Sequence, residues 1–208
     1  MTDKLDFKKM DRAFYSAKQQ PAVIELPPIP YLMVDGTGAP EDASYQQAVQ
    51  LLYSIAFTIK MAKMGEWQPQ GYTDFTVPPL EGLWDCGTTG FSDNRHAWKW
   101  TSMLRMPEFV TPEVLQWACE QAKKKHPDLD FSRVRLETYE EGLCAQIMHV
   151  GPYSEEQRSI DALGAFITQQ GLTDDCSAAG RRHHEIYLGD PRRTAPERLK
   201  TILRHPVR

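Results

Sequence analysis

Glu185 is the residue whose surroundings most strongly suggest a chemical role. It lies between His184 and Ile186, in a short run of apolar and aromatic side chains that is typical of a buried strand. A buried carboxylate without a partner is costly, so its presence suggests a pocket in which the acid is used. Strand side chains alternate between two faces, so Glu185 and Tyr187 are predicted to project together as candidate catalytic residues.

A structural role for Glu185 is the alternative. A carboxylate on a solvated sheet face usually forms an ion pair, and Arg181 and Arg192 are close in sequence. His183 and His184 cannot chelate one metal ion together, because adjacent strand residues point to opposite faces. No glycine-rich phosphate loop, G-x-S-x-G or H-E-x-x-H motif is present, so we predict no metal and no cofactor. Any catalysis is expected to depend on acid-base groups and water.

Aromatic side chains are available to build a pocket. Trp98 and Trp100 share one face of a predicted strand, with Met103 on its other face, and Trp84 lies near the end of the preceding strand. Large rings also pack sheet cores, and that alternative remains open. Tryptophans, adaptable methionines and a few polar groups are typical of sites for flat, apolar molecules, so we predict that these four residues bind a ligand.

Two later strands supply further candidates for the same ligand site. Glu137 and Tyr139 share one face of the first strand, and Gln146 and Met148 share one face of the next. Glu137 is a second candidate acid, although a solvated sheet face is the simpler explanation. His149 is expected to be a hydrogen-bonded structural group rather than a base.

Composition argues against several classes of protein. The 208 residues carry a net charge of -4 with a pI near 5.9, which argues against the basic surface that nucleic-acid binding normally needs. No apolar stretch approaches the ~20 residues of a membrane span, and the first residues do not resemble a signal peptide, so a cytoplasmic location is expected. The four cysteines are far apart and are expected to be reduced thiols.

Hydrophobic periodicity predicts alternating strands and helices. Strands are predicted at 31–35, 72–77, 80–85, 98–106, 133–139, 143–150 and 184–188. Helices are predicted at 44–65, 111–126, 154–171 and 196–203, with Ser44, Thr111, Ser154 and Thr194 as their capping residues. This order is typical of an α+β domain with helices packed on one side of antiparallel sheets.

The strand-turn-helix pattern occurs twice, which indicates a duplicated module. We predict a single domain over 1–208, with modules at about 30–106 and 131–190, a linking helix at about 111–126 and a C-terminal helix at about 196–203. Two equivalent modules placed side by side leave a groove at their junction, and such junctions are common ligand sites. A filled seam without a cavity is the alternative.

Several motifs in order resemble the GyrI-like small-molecule-binding family, and most closely its stand-alone subfamily. The segments Gly142–Glu155 and His183–Glu197 carry the resemblance, and Pro79–Trp84 and Trp98–Trp100 strengthen it. The likeness extends over nearly the whole chain, from about Leu5 to Val207. It implies tandem strand-helix-strand-strand modules related by pseudo-twofold symmetry around a central ligand groove.

The resemblance also implies a function. Some members are effector-binding domains of multidrug-responsive regulators, others bind partners such as DNA gyrase, and the stand-alone subfamily is described as cyclopropanoid cyclopropyl hydrolases. Those enzymes detoxify DNA-alkylating natural products in an aromatic cage. By position, Glu185 matches the family's central pocket acid, Tyr187 the tyrosine after it, and Trp84, Trp98 and Trp100 its aromatic positions. Asp85 departs from the aromatic residue of many relatives, and the loop at 176–180 is enlarged, which leaves the ligand open.

The sequence is therefore compatible with three functions. The first is hydrolysis of a strained cyclopropane on a planar aromatic molecule, with Glu185 activating water and Tyr187 donating a hydrogen bond to the carbonyl oxygen. The second is a non-catalytic sensor or drug-sequestering protein with the same aromatic groove. The third is inhibition of a large partner enzyme, which nothing in the sequence specifically favours.

Overall fold

Six antiparallel strands close into a barrel in the order β1-β3-β2-β5-β6-β4. The computed structural model describes residues 4–65, 67–85, 94–176 and 181–208. The strands are β1 Ala22–Thr37, β2 Glu81–Trp84, β3 Lys99–Arg105, β4 Arg135–Val150, β5 His183–Tyr187 and β6 Lys200–Pro206. The helices are α1 Phe7–Met10, α2 Arg12–Tyr15, α3 Ala43–Met61, α4 Pro112–Lys125 and α5 Gln157–Gln169.

The two halves of the chain have the same order of elements. The first half is β1-α3-β2-β3 and the second is β4-α5-β5-β6, with α4 between them. In each half the last strand lies between the other two, and the halves join through the pairs β1 with β4 and β2 with β5. This arrangement is unchanged when the halves are exchanged. The predicted α+β fold of tandem strand-helix-strand-strand modules is confirmed.

The prediction of a C-terminal helix at 196–203 is wrong. Only the short 3-10 turn Pro196–Arg198 is helical, and Lys200–Pro206 is strand β6, which pairs with both β4 and β5. Its residues from Thr201 onward are buried on both faces, because one face points into the barrel and the other lies under α5. Two-sided burial removes the alternation that distinguishes a strand from a helix in sequence. The second module therefore extends to residue 206.

Other element predictions differ in their boundaries. The predicted strands at 133–139 and 143–150 are one continuous strand, β4, in which Gly142 adopts a positive φ of 69°. The segment at 72–77 is no strand and makes only a single bridge, between Phe75 and Leu5. Strand β1 begins nine residues before the predicted 31–35 and includes prolines, which hydrophobic alternation alone does not anticipate.

The predicted helix starts were correct at only one of four sites, and Thr194 is followed only by the 3-10 turn Pro196–Arg198. The Thr111 hydroxyl accepts a hydrogen bond from the backbone N–H of Val114, at 3.4 Å, so this cap is confirmed. The capping box predicted at Ser44 is wrong, because α3 follows Asp42 and the Ser44 hydroxyl donates to the Thr37 carbonyl oxygen. Ser154 lies in a 3-10 turn before α5 and does not cap that helix.

The helices leave an opening over the middle of the barrel. Helix α3 packs on strands of the first half, and α5 packs through Leu163 and Ile167 on β4 and β6. The α1–α2 segment covers the inner face, where Phe7 and Tyr15 contact Ile186 and Ile202. Between α3 and α5, the paired strands β2 and β5 remain open to a cavity. Within the described residues, no helix has the combined length and apolar character needed to cross a membrane.

Candidate functional site

A cavity of about 1590 Å³ lies between α3 and α5. Strands β2 and β5 form its floor, because they are the central pair that joins the two halves. Its lining includes aromatic rings and two buried carboxyl groups, from Tyr45, Tyr53, Phe57, Trp84, Trp98, Tyr153, Tyr187, Glu156 and Glu185. Its volume is above the range typical of drug-sized ligand sites, so it has room for a polycyclic molecule.

The aromatic rings of the floor hold one another in fixed orientations. Tyr45 stacks on Trp84, with ring centres 5.7 Å apart, and Trp98 meets Trp84 edge-on at 5.9 Å. On the other side of the cavity Tyr153 meets Tyr187 edge-on at 6.0 Å. Such contacts restrict the rings before a ligand arrives, so they offer flat apolar surfaces at low entropic cost.

Tyr187 is held as a hydrogen-bond donor. Its hydroxyl oxygen accepts a hydrogen bond from the indole N–H of Trp84 at 3.0 Å, and the phenolic proton is directed toward Glu185. Burial, followed by the charge of Glu185, raises the pKa of Tyr187 well above its usual value, so it stays a phenol. Gly82 makes room for this pair, since an added Cβ would lie 3.0 Å from the Trp84 nitrogen and 3.2 Å from the Tyr187 oxygen.

Glu185 has a histidine partner rather than an arginine. Its side chain is 12% exposed, and its Oε1 lies 3.1 Å from His183 Nε2 on the same face of β5. The arginines considered from sequence are engaged elsewhere, because Arg192 pairs with Asp190 and Arg181 donates to a backbone carbonyl of β4. The carboxylate therefore faces the cavity and does not form a solvated ion pair with either arginine.

Glu156 is a second acid that sequence reasoning missed. It immediately precedes α5, is 9% exposed and lines the same cavity. Burial, and then the charge of Glu185, raises the pKa of Glu156 from 4.5 to about 9, so it is protonated at neutral pH. Its Oε1 has no hydrogen-bond partner among the described residues. In a sequence, a carboxyl at a helix start normally indicates a favourable contact with the helix dipole. The burial of Glu156 depends on residues far away in sequence, so no local pattern predicts its place in the cavity.

Four of the ten predicted site residues meet in this cavity: Glu185, Tyr187, Trp84 and Trp98. The prediction for Trp100 requires correction, because this residue is 1% exposed and its indole donates to the Gly38 carbonyl. Trp98 precedes β3 and reaches the cavity mouth, whereas Trp100 lies within the strand under α3. The alternative of core packing therefore applies to Trp100.

The remaining five predicted ligand-binding residues lie away from this cavity. Met103, Tyr139, Gln146 and Met148 pack toward the barrel interior. Gln146 accepts hydrogen bonds from the buried guanidinium of β6, which fixes its orientation. Glu137 is exposed and forms an ion pair with Arg135 at 2.7 Å. Strand alternation correctly predicts which of these residues share a face. It does not show which face of a closed barrel a ligand can reach.

Two other polar groups have structural contacts. His149 is hydrogen-bonded at both nitrogens, to the Ser159 hydroxyl and the Pro152 carbonyl, as predicted for a structural group. In the described parts of the chain, one cluster of potential metal ligands brings Asp174, Cys176 and His205 within 4.8 Å. Both ring nitrogens of His205 already have hydrogen-bond contacts, with Asp174 and His183, so we do not identify these residues as metal ligands.

An aromatic cavity with two buried carboxyl groups, set over the seam of a duplicated β-α-β-β unit, defines a small-molecule-binding domain. Residues 19–208 match the GyrI-like small molecule binding domain, and the chain belongs to this family. It is similar to a hydrolase from Listeria innocua, with 53% identity, a TM-score of 0.92, and coverage of 99% of this chain and 100% of that one.

Two further structures are informative. An uncharacterized conserved protein from Listeria innocua is 54% identical, with a TM-score of 0.94 and the same coverage of both chains. The C-terminal domain of EcmrR has a TM-score of 0.54 at 12% identity, covering 91% of this chain and 97% of that one, and it shows the fold alone. A search of curated proteins gave no significant match.

Proposed function

We propose that this protein binds a planar aromatic molecule in the cavity and hydrolyses its strained cyclopropane ring, as in cyclopropanoid DNA-alkylating natural products. The observation that supports this most directly is the pair of carboxyl groups, Glu156 and Glu185, in one aromatic cavity with Glu156 held protonated. Membership of a small-molecule-binding family and full-length similarity to a protein described as a hydrolase agree with it.

The aromatic floor would bind and orient the substrate. Trp84 and Trp98 meet edge-on, so a flat polycycle can stack on one ring and contact the edge of the other. Holding the cyclopropane near a water molecule converts a bimolecular encounter into a positioned one. The strain of the three-membered ring supplies part of the driving force, so modest catalytic groups are sufficient.

The two acids would divide the proton transfers. Glu185 accepts a proton from water as the water oxygen bonds to a cyclopropane carbon and the carbon-carbon bond breaks. The released electron pair moves into the conjugated dienone and forms a phenolate oxygen, toward which Tyr187 donates a hydrogen bond. Glu156 then supplies the proton that completes the phenol. General acid-base catalysis of this kind typically contributes ~100 to 10,000-fold.

The test is a single-turnover reaction of purified protein with a cyclopropane-bearing polycycle, followed by mass spectrometry for the product that has gained one water. We expect product with the wild type, retained binding but at least ~100-fold slower turnover with Glu185→Gln, and unchanged turnover with Glu137→Gln. Glu137 is the matched control because it is an acid outside the cavity. Binding without product would indicate a sensor or sequestering protein instead.

A further inference from the structure

A chain of hydrogen bonds connects the cavity acid to the outside of the barrel. Glu185 Oε1 lies 3.1 Å from His183 Nε2, and His183 Nδ1 lies 2.8 Å from His205 Nε2. His205 Nδ1 lies 2.7 Å from Asp174 Oδ2. The pairing of His184 with Arg204 in β5 and β6 places the two histidines side by side.

The exposure of these side chains changes along the chain from inside to outside. His183 is fully buried and His205 is 8% exposed, whereas Asp174 is 36% exposed. Burial lowers the pKa of His183, although its contact with Glu185 acts in the opposite direction. Burial alone would raise the pKa of Asp174, but the hydrogen bond and charge of His205, together with the backbone N–H of Cys176, lower it. Asp174 is therefore an anion at the outer end.

Three gaps between polar atoms hold one proton each, and two arrangements of these protons keep His183 neutral and Asp174 ionised. In the first, His205 carries protons on both nitrogens, His183 carries one on Nε2, and Glu185 is ionised. In the second, His205 and His183 each carry one on Nδ1, and Glu185 is protonated. Passing between them breaks the N–H bonds at His183 Nε2 and His205 Nε2 and forms an N–H bond at His183 Nδ1 and an O–H bond at Glu185. The number of protons is unchanged.

We propose that Asp174, His205 and His183 form a proton relay that positions Glu185 and lets its protonation change through the protein rather than through a ligand-filled cavity. The inference rests on the proposed function, because it assigns Glu185 the role of base. The three residues are positioning residues, since none of them lines the cavity among the described residues. They make the cavity acid usable while a bound ligand separates the cavity from bulk solvent.

Other titratable groups face the same carboxylate. Tyr187 lies beside it on β5, Tyr45 approaches from α3, and Glu156 and Tyr153 approach from the start of α5. A change in the pH profile alone would therefore not identify the relay. The test must include a signal that belongs to the two histidines.

The first arm of the test uses the protein alone. Histidine is labelled with ¹⁵N, and the six histidine signals are assigned with His183→Gln and His205→Gln. We expect both relay rings to show a hydrogen-bonded N–H proton in slow exchange with water. Asp174→Asn should shift the His183 and His205 signals together and leave exposed His96 unchanged. Signals of His183 that do not respond to Asp174→Asn would overturn the relay.

The second arm measures turnover. We expect Asp174→Asn to lower kcat by roughly 10 to 100-fold with little change in KM, and to move the acid limb of its pH profile. Asp174→Glu should restore part of the rate, which a purely structural role would not predict. His96→Gln is the control and should leave kcat unchanged. Equal kcat in Asp174→Asn and wild type would overturn the relay. A wild type without turnover would contradict the proposed function, and the histidine signals of the first arm would then decide whether the relay exists.

Discussion

Glu156→Gln tests the electrostatics of the cavity directly. Burial, and then the charge of Glu185, raises the pKa of Glu156 from 4.5 to about 9 in the folded protein. In the unfolded chain the same carboxyl is ionised at pH 7, so folding takes up a proton. Glutamine has nearly the same shape and needs no proton, so the substitution removes this cost while retaining an oxygen that accepts hydrogen bonds.

The expected gain follows from the two pKa values. A raised pKa stabilises the fold most below pH 4.5, and that stability is lost as the pH rises to about 9. At pH 7 the solution is about 2.5 pH units above the unfolded pKa, and each unit costs about 1.4 kcal/mol, so proton uptake costs about 3 kcal/mol. Because Glu156 and Glu185 are coupled, we expect a gain of about 1 to 3 kcal/mol for Glu156→Gln at pH 7.

The assay is urea unfolding followed by tryptophan fluorescence at pH 5, 7 and 8.5. The advantage of Glu156→Gln over wild type should be small at pH 5 and largest at pH 8.5. Glu155→Gln is the matched control, because this neighbouring carboxyl is 53% exposed and pairs with Arg158 at the surface. It should change stability by less than about 0.5 kcal/mol at each pH. Glu185→Gln removes the charge that contributes to the raised pKa of Glu156 but leaves the burial. The pH dependence of its unfolding free energy should therefore lie between those of wild type and Glu156→Gln.

A Glu156→Gln variant that is no more stable than wild type at pH 7 would contradict a protonated Glu156. A stability difference that is the same at pH 5 and pH 8.5 would also contradict it, because a packing effect does not depend on pH. Either result would mean that Glu156 is ionised in the folded protein, and the role of proton donor would then need another residue.

Three further changes test other parts of the structure. Trp98→Ala should weaken binding of a planar aromatic cation such as ethidium by roughly 2 to 10-fold in a fluorescence titration. Trp67→Ala is the control and should not weaken it, because it removes a ring that packs at a tilt against Trp117 outside the cavity. Tyr187→Phe should lower kcat by roughly 100-fold with little change in KM, and an unchanged kcat would remove the phenol from the chemistry. Glu141→Gln should cost about 3 to 5 kcal/mol of unfolding free energy, because His184 and Arg204 lose their shared buried carboxylate, whereas exposed Glu140→Gln should cost little. Burial would raise the pKa of Glu141, but these two cations lower it to about 2, so its contribution should disappear as the pH falls from about 4.5 toward 2.

Much of the fold could be predicted from sequence, because its helices and most strands have one apolar face. Helices α3, α4 and α5 show the 3.6-residue period. Thr111 and the proline after it correctly predict the start of α4, because this cap is a local interaction. Strand β6 was missed because both of its faces are buried, and a two-sided apolar run has no period. Its assignment depends on pairing with β4 and β5, which lie far away in sequence.

The candidate site was predictable only in part, for the same reason. Glu185 and Tyr187 were grouped because strand alternation is a local rule, and the structure brings both into the cavity. The protonated state of Glu156 depends on burial by distant parts of the chain and on the charge of Glu185, so no local pattern indicates it. His183 was considered only as a metal ligand, yet its role follows from a cross-strand neighbour, His205.

Strand β5 explains how a buried acid can be held in a cavity. Its alternate residues serve two polar systems, since Glu185 faces the cavity while His184 faces the barrel interior between Glu81 and Glu141, at 3.1 and 3.0 Å. The inner system is fully buried and hydrogen-bonded, so sliding β5 by one residue would break it and move every side chain to the wrong face. The register that pairs Gly82 with Glu185 is thereby fixed. The position of the cavity acid against the aromatic floor is set by contacts on the opposite face of the same strand.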